Sequence, residues 1–142
     1  MIGKKVRVII DRPLGTYHPK HKDIFYSVNY GYIEGIIAPD GEEQDAYIIG
    51  VNEPISEFTG KIIAIIKRLD DVEEKWVVAP ENMTFTKEEI MKQVEFQEKY
   101  FKTEICMWKY SKLIHKKKQH EELLRDVMKG RIKDVKSQNW NR

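Results

Sequence analysis

The 142-residue sequence predicts a mainly β domain with flanking helices, its strands closing into a small barrel or sandwich. Three observations predict it. Five short β-branched or aromatic runs lie between residues 5 and 79, each ended by Gly, Pro or an acidic turn. After residue 86 the apolar spacing becomes helical. The length suits one ordinary core, and 41% hydrophobic with 34% charged residues is a globular composition.

Lys5–Ile10 (KVRVII) is β-branched and reads as the first strand. Asp11-Arg12-Pro13 ends it, since Pro13 has no N–H for a ladder and holds Arg12 extended. Leu14–Lys22 is a loop punctuated by Gly15 and Pro19, and it groups His18, Lys20, His21 and Lys22, which suit either a phosphate or plain solvent. Asp23–Ile33 is aromatic and β-prone, with Gly31 expected at a bulge or a close backbone approach. Ala46–Val51, Lys61–Lys67 and Lys75–Ala79 are the remaining strands. A Pro54/Gly60 loop connects two of them and offers Ile55 and Phe58 to cover one barrel end. Thr86 with Glu89 forms a capping box that starts a helix over Thr86–Phe101, with Ile90, Val94 and Phe101 on one side. A second, highly charged helix is expected over about Tyr110–Met128, ended by Gly130.

Composition excludes several classes. The longest apolar run, Ile62–Ile66, is far below the ~20 residues that span a bilayer. The N-terminal MIGKKVRVII lacks the apolar core of a signal peptide. The lone Cys106 rules out an internal disulfide, fits a reducing cytoplasm, and sits among core-like neighbours where a thiol is inert. The net charge of +2 conceals an asymmetry: residues 109–142 hold eleven Lys/Arg against four Asp/Glu, and residues 1–108 hold fourteen against nineteen. Division at 108/109 into an acidic body and a basic helical extension follows.

Chemistry concentrates in two acidic turns. Asn29–Asp45 runs NYGYIEGIIAPDGEEQD and places Asp40, Glu42, Glu43 and Asp45 within six positions. Lys67–Glu74 adds Asp70, Asp71, Glu73 and Glu74. Such crowding is relieved by solvent or by a hard cation, and Mg²⁺ takes one or two carboxylates while keeping waters for substrate phosphates. If the fold brings the turns together, paired metals could clamp the oxygens of a phosphoryl transfer. DGEEQD lacks the spacing and central glycine of an EF-hand loop, and His115 and His120, five apart, share no helix face as zinc ligands would.

NYGYI, DGEEQD, the Pro/Gly loop, GKIIAII and DDVEEKWVVAP, in that order, resemble the family I soluble inorganic pyrophosphatases over about residues 6–108. That resemblance implies an OB-like five-stranded β-barrel with two C-terminal helices. It also implies hydrolysis of pyrophosphate to two orthophosphates with Mg²⁺, Mn²⁺ being possible, and no covalent intermediate. In the family's D-x-D-P-x-D signature, Asp40 and Asp45 match metal-binding aspartates and Glu42 the aspartate that helps activate water. Glu73 falls where a metal-binding aspartate precedes a lysine by two, and Lys75 is that lysine. Asp70 matches the other aspartate of that turn, with Asp71 as the alternative, and Asp11 matches the acid that ends the first strand and joins the metal set. Tyr30 and Tyr100 match substrate-side tyrosines, and Arg12 would hold phosphate.

The departures are specific. Glu42 and Glu73 are one methylene longer than the family's aspartates, a displacement on the order of an ångström that can cost roughly a hundredfold in rate. Glu43 replaces the signature proline, and the segment from Asp11 to Phe25 lacks the family's lysine–glutamate pair. His18 falls near a phosphate-binding arginine, and Phe101 replaces the lysine after Tyr100, with Lys102 one step on. A homo-oligomer is expected. One alternative keeps the fold and metals but takes another phosphoanhydride or a related phosphorylated small molecule; the other is a non-catalytic OB-type module binding an anion or nucleic acid through Trp108, Lys109, Lys112 and Lys116–Lys118. The acidic rim opposes it, so nucleic acid is not the expected partner.

Overall fold

The computed structural model describes residues 2–107. Six strands and one helix follow in order: β1 (Lys5–Arg12), β2 (Asn29–Ile37), β3 (Glu43–Ile48), β4 (Glu57–Arg68), β5 (Glu74–Ala79), α1 (Lys87–Glu98) and β6 (Thr103–Cys106). The sheet order β1-β2-β3-β5-β4 returns to β1 and closes a five-stranded barrel. Only β3 and β5 run parallel. β6 pairs with β4 and lies outside the closure. No described helix is long and apolar enough to cross a membrane. The expected helix over 110–128, the 109–142 extension and Trp108 lie outside the described residues.

Two apolar clusters follow from strand alternation. Val6, Val8, Ile10, Ile33, Ala46, Ile48, Ile62, Trp76 and Val78 fill the barrel, with Ile55 and Phe58 packed against them as expected. The alternate residues Tyr47, Ile49, Val77 and Ala79 face the other way and pack with Ile90 and Val94 of α1. On β4 the register shifts between Ile62 and Ala64. Ile62 belongs to the barrel cluster, whereas Ala64 and Ile66 belong to the helix cluster. This bulge turns the end of β4, including Arg68, toward the helix-bearing face.

Gly31 does make a close approach: a Cβ there would lie 1.8 Å from the Ile9 carbonyl oxygen. A register shift between Ile10 and Arg12 sits opposite it. The capping box is also present, with the Glu89 amide donating to Thr86 Oγ1 at 3.1 Å and the Thr86 amide donating to Glu89 Oε1 at 2.8 Å.

Other boundaries moved for local reasons. Asp23–Val28 folds back on the preceding loop, with Gly15 bonded to Tyr26 and a single Tyr17–Phe25 bridge, so β2 begins only at Asn29. β3 occupies Glu43–Ile48 and not Ala46–Val51, because the acidic turn itself enters the ladder and Gly50, at φ +88°, follows its end. Gly60 belongs to β4 and not to a loop; a Cβ there would meet the Ala79 carbonyl oxygen at 2.5 Å. β6, only four residues long, carries too short a pattern to be read in advance.

Candidate active site

The closed barrel brings both acidic turns to one cleft, which shares Asp45 with a larger neighbouring cavity. Parallel pairing of β3 with β5 is the cause, since the turn before each strand then lies at the same end. The smaller cleft, about 210 Å³, is bordered by Asp40, Glu43, Asp45, Asp71, Glu73 and Glu74. The larger cavity, about 460 Å³, is lined by Asp11, Arg12, His18, His21, Asp23, Ile24, Tyr30, Asp45, Arg68, Lys75, Gln97, Tyr100 and Phe101. It lies on the helix-bearing face beside the C-terminal end of α1, because Tyr30, like Tyr47 and Val77, packs on that side.

Of the residues singled out in the sequence, Asp11, Arg12, His18, Tyr30, Asp45, Lys75 and Tyr100 line the larger cavity. Asp40, Asp71 and Glu73 border the smaller cleft with Asp45. Glu42, Asp70 and Lys102 border neither, and all three are exposed. Lys102 contributes its carbonyl, which accepts from the Leu69 amide at 2.7 Å. Cys106 borders neither depression, and burial pushes its thiol pKa up, as for an unreactive side chain.

The carboxylates are held in different ways. Asp40 Oδ1 accepts from the Glu42 amide at 2.9 Å, and Asp71 Oδ1 accepts from the amides of Val72 and Glu73, so both carboxylates fix their own turns. Lys75 Nζ sits between Asp45 Oδ2 at 2.7 Å and Glu73 Oε2 at 2.9 Å. Burial opposes the Lys75 charge, but the oxygens of Tyr30 and Asp45 outweigh it and hold the ammonium above its ordinary pKa. Burial raises Tyr30 against the charge of Lys75, leaving its hydroxyl a neutral group. Asp11 is raised too, first by burial and then by the like charge of Asp45, with Arg12 opposing.

Arg12 donates to the Tyr26 hydroxyl at 2.6 Å and lies 5.6 Å from the ring centroids of Tyr26 and Tyr30. Among the described residues it makes no ion pair, which leaves its charge available to an anion. His18 Nδ1 accepts from the amides of Lys20 and His21, at 3.0 and 3.2 Å, which leaves Nε2 to carry the proton of a neutral ring. Burial, then the charge of Arg12, lowers its pKa, so it presents a hydrogen-bond donor and not a cation near neutrality.

Five residues that the sequence reading passed over complete the site: Tyr26, Tyr47, Arg68, Gln97 and Glu98. Arg68 Nε and Nη2 grip Glu98 at 3.2 and 2.8 Å, and Nη1 reaches Glu73 at 3.1 Å. Glu98 also accepts from the Tyr47 hydroxyl at 2.6 Å. Gln97 donates to Tyr47 and accepts from Tyr26, both at 2.6 Å. The chain of bonds therefore runs unbroken from Arg12 through α1 to Arg68, Glu73, Lys75 and Asp45. Signals for two of these existed: the expected stripe Ile90–Val94–Phe101 passes over Gln97 and Glu98, although α1 ends at Glu98 and Phe101 lies beyond it and not on its apolar side. Arg68 carried none, because the bulge alone turns it inward.

For a divalent cation, the carboxylates of Asp11 and Asp45, which both line the cavity, are the right donor chemistry. No three His, Cys, Asp or Glu side chains converge as a ready ligand set among the described residues.

No protein-family model matches the chain, and no curated protein sequence matches it. Solved structures do. An inorganic pyrophosphatase from Ehrlichia chaffeensis shares 15% identity over 75% of this chain and 88% of its own, with a TM-score of 0.59. One from Neisseria gonorrhoeae shares 22% identity over 66% and 71%, with a TM-score of 0.54. One from Helicobacter pylori shares 13% over 73% and 83%, with a TM-score of 0.53. The chain thus has the fold of the inorganic pyrophosphatases.

Proposed function

We propose that the protein hydrolyses inorganic pyrophosphate to two orthophosphates in a divalent-metal-dependent reaction, as a divergent relative of the family I enzymes. One observation carries this reading: Asp11, Arg12, Tyr30, Asp45, Lys75 and Tyr100, far apart in sequence, line one cavity on a barrel of the pyrophosphatase type. Arg12 would take substrate charge, since it has no carboxylate partner within ion-pair distance among the described residues. Lys75, kept protonated by Tyr30 and Asp45, would share that load. Tyr30, Tyr100 and the Nε2 of His18 would donate neutral hydrogen bonds. Asp45 and Asp11 would hold Mg²⁺ (or Mn²⁺) from the cavity, with Asp40, Asp71 and Glu73 adding oxygens from the cleft. Bound there, the metal would lower the pKa of a water and stabilise charge on the phosphoryl oxygens. Glu42, matched to a water-activating residue, borders neither depression, so the carboxylates that do are better placed for that work.

The test is phosphate release from pyrophosphate with Mg²⁺, with Mn²⁺ and with EDTA, beside Asp45→Asn. Turnover that needs metal and falls at least about a hundredfold in the variant supports the reading. A folded protein inactive with every metal overturns it.

A further inference from the structure

The cavity is chemically mixed. Its lining mixes the ionic side chains of Asp11, Arg12, Asp45 and Lys75 with the apolar and aromatic ones of Ile24, Tyr100 and Phe101, the last two beside Asp23 and Arg68. The Phe101 ring does not hang free: the Arg68 guanidinium lies 3.6 Å from its centroid, and Arg68 is fixed by Glu98 and Glu73. Phe101 and Tyr100 nonetheless remain 37% and 51% exposed. A cavity-lining ring packed on a buried, bonded cation and still partly exposed is a preorganised stacking surface. Inorganic pyrophosphate has nothing to stack there, and a volume of about 460 Å³ lies in the range of pockets that hold organic ligands, roughly 300–1,000 Å³.

We infer that the site accepts nucleoside diphosphates, with the anhydride held by the cations of the lining, Arg12 and Lys75, and the base against Phe101, which acts as a specificity residue. This inference rests on the hydrolytic reading above and narrows its substrate class. Water's oxygen bonds to the terminal phosphorus as the bridging oxygen–phosphorus bond breaks. The bridging oxygen leaves with the electron pair on the nucleoside monophosphate, and water's protons pass to the product phosphate and to solvent.

The experiment compares kcat/KM for ADP and for pyrophosphate, with Mg²⁺, in the full chain and in Phe101→Leu and Phe101→Tyr. The ratio of the two substrates is independent of how much protein is folded. Phe101→Leu is expected to lower the ADP-to-pyrophosphate ratio roughly tenfold or more, through KM for ADP, because base stacking is lost. Phe101→Tyr keeps the ring and should leave the ratio within about threefold. Pyrophosphate turnover without ADP turnover, or an unchanged ratio in Phe101→Leu, overturns the inference and leaves the hydrolytic reading standing. If neither substrate turns over, the hydrolytic reading falls, and the platform is read by calorimetry with the α,β-methylene analogue of ADP. Binding weakened tenfold by Phe101→Leu then upholds the stacking site; no binding ends it.

Discussion

Two depressions share Asp45 and are both rich in carboxylates, yet they are built differently. In the cleft, Asp40 and Asp71 each give one oxygen, Oδ1, to their own turn amides and remain at the surface. At the cavity, Asp45 is tied to Lys75 of β5, and the network behind it holds Glu98 of α1, only 1% exposed, on Arg68 and Tyr47 from distant strands. A turn carboxylate saves a local hydrogen bond; a buried one must be matched by a cation or pay its full desolvation. The cleft is therefore expected to tolerate change, and the cavity to resist it.

The largest effect that could break this contrast is Arg68→Met. It strands Glu98 and should cost about 3–5 kcal/mol in urea unfolding. Combining it with Glu98→Gln should recover part of that loss, since no buried charge is left unpaired. Equal losses in the single and double variants would mean that Arg68 acts by packing on Phe101 and not by charge.

Next is Lys75→Met, which leaves Asp45 and Glu73 facing each other without their shared ammonium. Because the folded-state pKa of Lys75 is raised, its contribution is fully present below its ordinary pKa of 10.5 and fades as pH climbs through the folded value. The variant should accordingly be less stable than the parent at pH 7. The gap should narrow only in strong alkali, as thermal melts across pH would reveal.

Asp11→Asn should act in the opposite direction and more weakly. Its folded pKa is raised, so the carboxyl contributes stability below its ordinary pKa and loses that contribution as pH rises through the folded value. In metal-free buffer at pH 7 the variant should melt slightly higher than the parent, and the difference should vanish near pH 3. A lower melting temperature at pH 7 would show that Arg12 dominates over burial and Asp45.

The smallest effect belongs to the cleft. Asp71→Ala removes turn bonds that water replaces, and should cost no more than about 1 kcal/mol in the same urea assay. A loss approaching that of Arg68→Met would erase the distinction between the two depressions.

The amino-acid sequence alone determined the strand runs, the capping box at Thr86–Glu89, the close approach at Gly31 and the identity of the cavity's Arg12, Tyr30, Asp45 and Lys75. These are legible because periodicity, turn chemistry and motif order are local or collinear properties. Tertiary structure decided which carboxylates are partnered, that both acidic turns meet at one cleft with Asp45 alone of their acids reaching the cavity, and that Glu42, Asp70 and Lys102 border neither depression. It also decided the burial of Arg68: a one-residue bulge reverses which face a strand presents, and no local pattern marks it. The pairing of Arg68 with Glu98 depends on where α1 ends against the sheet, so the charge that either residue needs lies beyond the reach of its own sequence neighbours.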